Sequence, residues 1–188
     1  MKIRLATDQI QRDSIVDGEG IRSVIWTQGC THNCYGCHNP ETHSFDGGFL
    51  LDVDDVIKKI DTLEGQDGIT FSGGDPMSQA EACSIIASHC KEMGLNVWCY
   101  TGFTYEQLIE QSNSNPYIMN FLKNIDVLVD GRFVLALKSF DLKFKGSKNQ
   151  RIIDVPSSLK SGSVCLVSKY ASDKDDEKIV RRSHYMYV

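Results

Sequence analysis

The amino-acid sequence predicts an α/β fold in which most of the strands are parallel. Segments rich in β-branched and aromatic residues alternate about four times with segments of helical apolar spacing. The residues best suited to chemistry, namely clustered cysteines, paired glycines and an aspartate, each follow one of these strands. Such alternation is typical of parallel βαβ units, whose functional loops lie at the carboxyl ends of the strands.

Four apolar, β-branched segments make up the regular part of the predicted sheet. They are residues 21–27, 68–71, 95–100 and 125–129. Each runs into a turn sequence, such as Gly73-Gly74 after the second strand or Thr101-Gly102 after the third. Two weaker segments, 152–155 and 164–167, are predicted as further short strands.

The predicted helices lie between these strands and carry recognisable N-terminal signals. These signals are Asp52 as an N-cap, the capping-box pairs Ser78/Glu81 and Thr104/Gln107, and Pro116 in a first turn. Gly94 is placed to end the second helix in the left-handed conformation.

Length and charge exclude several classes of protein. A chain of 188 residues suggests one domain, which we predict over 1–170 with a charged C-terminal tail over 171–188. The net charge of −5 provides no general attraction to nucleic acid, and no apolar run is long enough to cross a membrane. The first ten residues lack the apolar core of a signal peptide, so we expect a cytoplasmic location.

Cys30, Cys34 and Cys37 are spaced C-x3-C-x2-C in a segment that we call the cysteine loop, residues 29–39. Three thiolates on one loop can converge on a soft metal centre. A [4Fe–4S] cluster normally takes four cysteines, so three leave one iron open for chemistry. A zinc site completed by His32 or His43 is the alternative.

These motifs resemble those of a known superfamily. The cysteine spacing after the first strand, with Gly73-Gly74-Asp75-Pro76 after the second, resembles the radical S-adenosylmethionine enzymes. Residues 30–42 (CTHNCYGCHNPET) resemble more specifically the glycyl-radical activating enzymes, and within them the activators of anaerobic ribonucleoside-triphosphate reductase. Matching segments extend the resemblance over roughly residues 13–150; they are 16–22, 72–76, 98–103, 126–133 and 146–150.

The resemblance implies a fold, a reaction and two cofactors. The fold would be an incomplete (β/α) barrel, open along one side. Cys30, Cys34 and Cys37 would hold a [4Fe–4S] cluster that reductively cleaves S-adenosylmethionine. The resulting 5′-deoxyadenosyl radical would take hydrogen from a glycine of the class III reductase, the protein partner. An electron donor such as reduced flavodoxin would supply the electron.

The same resemblance implies which residues bind S-adenosylmethionine. They are Gly36, Cys37, His38, Gly73, Gly74 and, as a nearby negative charge, Asp75. We further hypothesise that Asp130 accepts from the ribose hydroxyls and that Arg132 meets the methionine carboxylate. The alternative for Asp130 and Arg132 is an ordinary turn with a surface salt bridge.

The polar segment 146–150 matches the family without revealing a role. Lys143, Lys145, Lys148 and Arg151 place positive charge around it, which could receive an acidic partner or flavodoxin, or could simply be solvated.

Three rival functions remain open at the level of sequence. Two are other short radical S-adenosylmethionine enzymes, a deazaguanine synthase and a pyruvate formate-lyase activase. The third is a zinc-binding interaction module without catalysis.

Overall fold

Eight strands form one open sheet in the computed structural model, which describes residues 1–171. The strands are β1 (Lys2–Leu5), β2 (Gln11–Ser14), β3 (Arg22–Thr27), β4 (Phe49–Asp52), β5 (Gly68–Gly73), β6 (Asn96–Tyr100), β7 (Val127–Asp130) and β8 (Arg151–Asp154). Their order is β4-β1-β3-β5-β6-β7-β8, and β2 also pairs with β3. The predicted charged tail lies, apart from its first residue, outside the described residues.

The four central strands confirm the predicted α/β fold. β3, β5, β6 and β7 are parallel, with Thr27 opposite Gly73 and Tyr100 opposite Val129. Their carboxyl ends therefore meet along one edge of the sheet, which we call the carboxyl edge. The sheet stays open between β4 and β8, as expected of an incomplete barrel.

The outer strands are antiparallel, which the sequence did not predict. β1 pairs with β3 and β4, β2 pairs with β3, and β8 pairs with β7. β1, β2 and β4 are short strands of four residues that the sequence analysis did not predict. Of the two weaker segments, 152–155 corresponds to β8, whereas 164–167 contributes only an isolated bridge between Leu166 and Ile153.

Five α-helices accompany these strands within residues 1–171. They are α1 (Val53–Asp61), α2 (Ala80–Glu92), α3 (Tyr105–Ser112), α4 (Pro116–Leu122) and α5 (Val155–Ser161). None of the helices in this part of the chain is long and apolar enough to cross a membrane.

The sheet buries a different cluster on each face because neighbouring side chains of a strand point to opposite sides. On β6, Val97 and Cys99 join the main core with the helices, where Phe71 and Phe121 pack with ring centroids 5.1 Å apart. Trp98 points to the other face and joins a smaller cluster. Tyr100 and Phe144 of this second cluster also line the cavity described below.

Two of the predicted helix signals are confirmed by hydrogen bonds. Thr104 and Gln107 form a complete capping box at α3. Gly94 follows α2 with φ +78°, and the next amide, Leu95 N, donates to Cys90 O at 3.0 Å. This pairing is typical of a helix that ends on a left-handed glycine.

One other predicted signal is wrong, and another is confirmed in its position but not by a capping hydrogen bond. Ser78 and Glu81 form no capping box, because residues 76–79 form a 3₁₀ turn that Asp75 caps by accepting from Met77 N. Asp52 stands at the N-cap position of α1, but its carboxylate accepts from Lys2 Nζ at 2.7 Å instead of from a helix amide.

Candidate active site

A cavity of about 410 Å³ lies at the carboxyl edge, a size within the range of small-molecule sites. Cys30, Cys34 and Cys37 all line it. Three further predicted residues, Gly73, Gly74 and His38, line it with them, and so does Gly131 of the turn after β7. The parallel strands thus bring three separate loops to one place.

Backbone hydrogen bonds fix the cysteine loop as it leaves β3. Cys30 N donates to His43 O at 3.0 Å, and Cys37 N donates to Cys34 O at 3.1 Å. Gly36 has φ +71°, a left-handed conformation that costs glycine little. The chain therefore folds back within the loop and presents its three thiols to one cavity.

The glycine pair after β5 is required by the approach of the cysteine loop itself. A Cβ atom on Gly74 would lie 2.4 Å from Gly29 O, and one on Gly73 would lie 2.5 Å from Thr27 O. Gly73 also has φ +98°. Glycine at both positions lets the two backbones touch, whereas any side chain would push the cysteine loop away.

Asp75 is completely buried beneath the cavity, and protein donors surround its carboxylate. It accepts from Thr101 Oγ1, Gly102 N and Met77 N, each at 3.0 Å, and from His32 Nε2 at 2.7 Å. The ends of β5 and β6 are thereby joined to the cysteine loop. A direct contact of Asp75 with S-adenosylmethionine stays a prediction, and the structure gives this carboxylate a positioning role.

Arg132 reaches the cysteine loop from the turn after β7. Its Nη2 donates to His32 O at 2.9 Å and its Nε to His32 Nδ1 at 3.3 Å. Because Nδ1 accepts, His32 carries its proton on Nε2 and donates it to Asp75. Both ring nitrogens of His32 are therefore engaged, which disfavours His32 as a zinc ligand.

Asp130 is buried and is bound by other parts of the protein. Its carboxylate accepts from Tyr105 N at 2.8 Å and from Arg151 Nε at 2.9 Å, with a second bond from Arg151 Nη2. Arg151 also donates to both oxygens of Glu106. Burial lowers the pKa of Arg151, but the hydrogen bonds to Asp130 and Glu106 outweigh burial and raise this pKa above its ordinary value.

Asp130 and Arg132 line a second cavity, of about 450 Å³, rather than the cavity of the three cysteines. Asp130 forms its ion pair with Arg151, whereas Arg132 donates to His32. Binding of ribose by Asp130 and of the methionine carboxylate by Arg132 stay predictions.

The segment 146–150 holds the turn after β7 in place. Gln150 Oε1 accepts from Gly146 N at 2.8 Å, while its Nε2 donates to Gly131 O at 2.9 Å. Asn149 Nδ2 donates to Arg132 O at 2.8 Å. The segment therefore has a structural role that its sequence did not reveal, close to the predicted cofactor residues.

Comparison with known proteins places the chain in a family. Residues 16–153 match the model of a 4Fe-4S single cluster domain. The chain is 32% identical to the anaerobic ribonucleoside-triphosphate reductase-activating protein of Haemophilus influenzae, over 73% of this chain and 90% of that one. This chain belongs to the family of anaerobic ribonucleoside-triphosphate reductase-activating proteins. The resemblance of residues 30–42 to these activators is confirmed.

Two further relatives of the same name support this family. The protein of Escherichia coli K12 is 35% identical over 72% of this chain and 90% of its own. The protein of Enterobacteria phage T4 is 30% identical over 77% of this chain and 91% of its own. A crystal structure of QueE from Escherichia coli covers 55% of this chain and 54% of its own at 14% identity, with a TM-score of 0.47. That likeness is too slight to support an argument.

The donor set of this activating protein fits a [4Fe–4S] cluster. Three thiols line one cavity, and Asn39 N donates to Cys37 Sγ at 3.4 Å, as backbone amides do around cluster sulfurs. Within residues 1–171, no three His, Cys, Asp or Glu side chains are grouped to hold a single metal ion. A [4Fe–4S] cluster takes one thiolate at each iron, so three cysteines that line one cavity can serve three of its irons.

The remaining four cysteines lie away from the loop. Cys83, Cys90 and Cys99 are buried in the core, as expected. Burial raises the pKa of the Cys90 thiol to about 12, and it also raises the pKa of Cys83 and Cys99. Cys165 lies in the segment 164–167, which was predicted as a strand, but it is half-buried and outside the named strands. The cysteine loop is therefore the thiol-rich site of the activating protein.

Several residues of the cavity wall were not predicted from the sequence. They include Trp26, Tyr100, Phe133 and Phe144. Trp26 of β3 is half-buried and lines the cavity of the three cysteines. The alternation of side chains along β3 could have predicted this position of Trp26. Neighbouring strand residues point to opposite faces, and Ile25 joins the main core.

Proposed function

We propose that this chain activates an anaerobic, class III ribonucleoside-triphosphate reductase by generating a glycyl radical on it. The observation that carries the proposal is the arrangement of three thiols around one cavity at the carboxyl edge. Membership of the family supplies the partner. When bound, the cluster supplies the electron that cleaves S-adenosylmethionine, and the 5′-deoxyadenosyl radical so formed takes hydrogen from a glycine of the reductase.

Cys30, Cys34 and Cys37 would hold the cluster and leave one iron without a protein ligand. None of the other four cysteines, all of which the structure describes, lines the cavity, so a fourth protein thiol is not present there. The open iron is the position at which S-adenosylmethionine would bind. This assignment agrees with the C-x3-C-x2-C pattern.

The walls of the cavity orient the cofactor and limit contact with water. Backbone groups of Gly73 and Gly74 and the loop around Gly36 would lie against S-adenosylmethionine. Phe133 packs on His38 with ring centroids 4.7 Å apart and lines the same space. Tyr100 also lines the cavity, and burial raises its pKa, so its phenol stays neutral.

A cytoplasmic location and reduction by flavodoxin belong to the same proposal. Basic residues near the cavity support an acidic electron donor, because opposite charge speeds the encounter of two proteins. Lys145 lines the cavity and donates to Gln150 O at 3.2 Å, which holds positive charge at this position.

The test compares two cysteine variants after anaerobic reconstitution with iron and sulfide. Each protein is mixed with S-adenosylmethionine and dithionite, and 5′-deoxyadenosine is measured by chromatography. We expect wild type and Cys83→Ala to form it and Cys34→Ala to form none. The Cys83→Ala control removes a thiol from the core without touching the cysteine loop. Equal product from Cys34→Ala would contradict the assignment of the site.

A further inference from the structure

An exposed apolar surface borders the cavity. We call it the docking lip and define it as Tyr35 together with residues 134–140. Tyr35 is 86% exposed and Phe140 is 94% exposed, and Leu135 and Leu137 are about two-fifths exposed. Single exposed apolar residues are ordinary, but a contiguous apolar patch marks an interaction surface.

The docking lip is continuous with the cysteine loop. Gly36 lies against Leu135, since a Cβ on Gly36 would be 3.1 Å from Leu135 Cδ2. Phe133 and Leu142, which flank residues 134–140 in the chain, both line the cysteine cavity. The same segment therefore borders the cavity on one side and is exposed on the other.

Hydrogen bonds hold the apolar side chains of the docking lip in this exposed position. Val134 N donates to Ser147 Oγ at 3.1 Å, and Lys148 N donates to Leu137 O at 2.9 Å. Lys138 and Ser147 form an antiparallel bridge. The segment is thus folded against 147–148, and its exposure is a feature of the fold.

Positive charge surrounds the docking lip. Residues 134–148 contain four lysines, Lys138, Lys143, Lys145 and Lys148, against the single acidic Asp141. Lys138 Nζ lies 5.2 Å from the centre of the Phe140 ring. The whole chain has a net charge of −5, so this segment is opposite in sign to the protein as a whole. A partner that fits it presents apolar side chains flanked by carboxylates.

We propose that the docking lip binds the reductase, through a surface of apolar residues with acidic neighbours. Binding there would place the partner beside the cavity, where a glycine must reach the reacting centre. Exposed apolar side chains alone would not select between partners, but the four lysines favour a partner with an acidic surface. This inference rests on the proposed function.

The test measures binding of the reconstituted chain to the purified anaerobic reductase from the same genome, by anaerobic biolayer interferometry. Phe140→Asp is the probe, since a side chain that is 94% exposed can be replaced without changing the core. Tyr117→Asp is the control, because Tyr117 is an exposed aromatic residue in the first turn of α4. Formation of 5′-deoxyadenosine without reductase is measured in parallel.

We expect Phe140→Asp to weaken reductase binding about tenfold or more, as for an aromatic interface anchor. Tyr117→Asp should bind as wild type does, and both variants should form 5′-deoxyadenosine at the wild-type rate. The paired change Lys138→Glu and Lys148→Glu should slow association and reduce its dependence on salt.

Wild-type affinity in Phe140→Asp would overturn the docking proposal, and so would a wild-type chain that forms 5′-deoxyadenosine without binding the reductase. If Phe140→Asp binds the reductase normally but no longer self-associates, the docking lip binds a second copy of the chain. If Phe140→Asp binds the reductase normally but is no longer reduced by flavodoxin, the docking lip binds the electron donor. Either result would also overturn the docking proposal. Reductase binding without any 5′-deoxyadenosine would instead contradict the proposed function.

Discussion

The His32 ring donates to the buried carboxylate of Asp75 over 2.7 Å, and this bond ties the cysteine loop to the end of β5. Asp75 also accepts from Thr101 and Gly102 at the end of β6, and Arg132 from beyond β7 donates to His32. Three strand ends thus converge on one histidine that stands between two of the loop cysteines. Positioning of the thiols depends on this network.

Asp75→Asn should therefore destabilise the protein and lower its iron content. An amide keeps the shape but replaces one acceptor oxygen by a donor, which then faces the Thr101 and Gly102 donors in a buried place. Such a mismatch costs about 1–3 kcal/mol. Thermal unfolding and iron per chain after reconstitution are the measurements.

Asp61→Asn is the matched control for this change. Asp61 also accepts from a histidine, His89, at 2.6 Å, but the pair is exposed. We expect a loss below about 0.5 kcal/mol there. An Asp75→Asn protein as stable and as rich in iron as the control would show that the network does not position the loop.

Gly74→Ala should displace the cysteine loop. The new methyl group would lie 2.4 Å from Gly29 O and 2.9 Å from Thr42 O, both of them backbone atoms. We expect a loss of stability above about 1 kcal/mol, since overpacking that moves backbone costs about 1–3 kcal/mol. Iron binding should fall with it, as measured by elemental analysis.

Gly65→Ala provides the comparison, because nothing lies within 4 Å of a Cβ at Gly65. Its φ of +70° still adds conformational strain of about 1 kcal/mol, but iron binding should be unchanged. Full iron loading of Gly74→Ala would mean that the loop does not need the close approach.

Alkylation should separate the loop cysteines from those of the core. In protein without iron at pH 8, iodoacetamide should label the partly exposed Cys34 and Cys37. Cys90, whose pKa burial raises to about 12, should react only after unfolding, because almost none of it is thiolate at this pH. Mass spectrometry of peptides gives the order of labelling. Early labelling of Cys90 would contradict the burial seen here.

Arg132→Met should raise the apparent Kd for S-adenosylmethionine if, as we hypothesise, Arg132 meets the methionine carboxylate. The change also removes the bond to His32 O, so iron content must be measured beside the Kd. Arg12→Met is the control, since Arg12 donates to the exposed Thr62 hydroxyl and lines neither of the two cavities. Unchanged binding of S-adenosylmethionine in Arg132→Met would refute the assignment to the carboxylate.

The sequence predicted the central strands and the cysteine site because both carry strong local signals. β3 and β6 are runs of apolar and β-branched residues, and C-x3-C-x2-C is a short-range pattern. The features that the sequence analysis missed depend on contacts with residues far away in the chain. The polar β2 is a strand only because it pairs with β3, and Asp130 is neutralised by Arg151, which lies opposite it on antiparallel β8.

Side-chain competition explains the other errors. Ser78 had the right spacing from Glu81 to cap a helix, but Asp75 accepts from Met77 N and starts a 3₁₀ turn first. Asp75 itself was predicted from the motif as a charge beside the cofactor. Its partners Thr101, Gly102 and His32 come from two other loops, and no local pattern in the sequence indicates that they meet.

The most direct test of the account is an electron paramagnetic resonance spectrum. The reconstituted chain is mixed anaerobically with S-adenosylmethionine, a reductant and the anaerobic reductase, with Cys34→Ala and Cys83→Ala proteins run beside it. We expect a glycyl-radical doublet on the reductase with wild type and Cys83→Ala, and none with Cys34→Ala. Formation of 5′-deoxyadenosine without a doublet would contradict the reductase as target, and a doublet with Cys34→Ala would contradict the cysteine site.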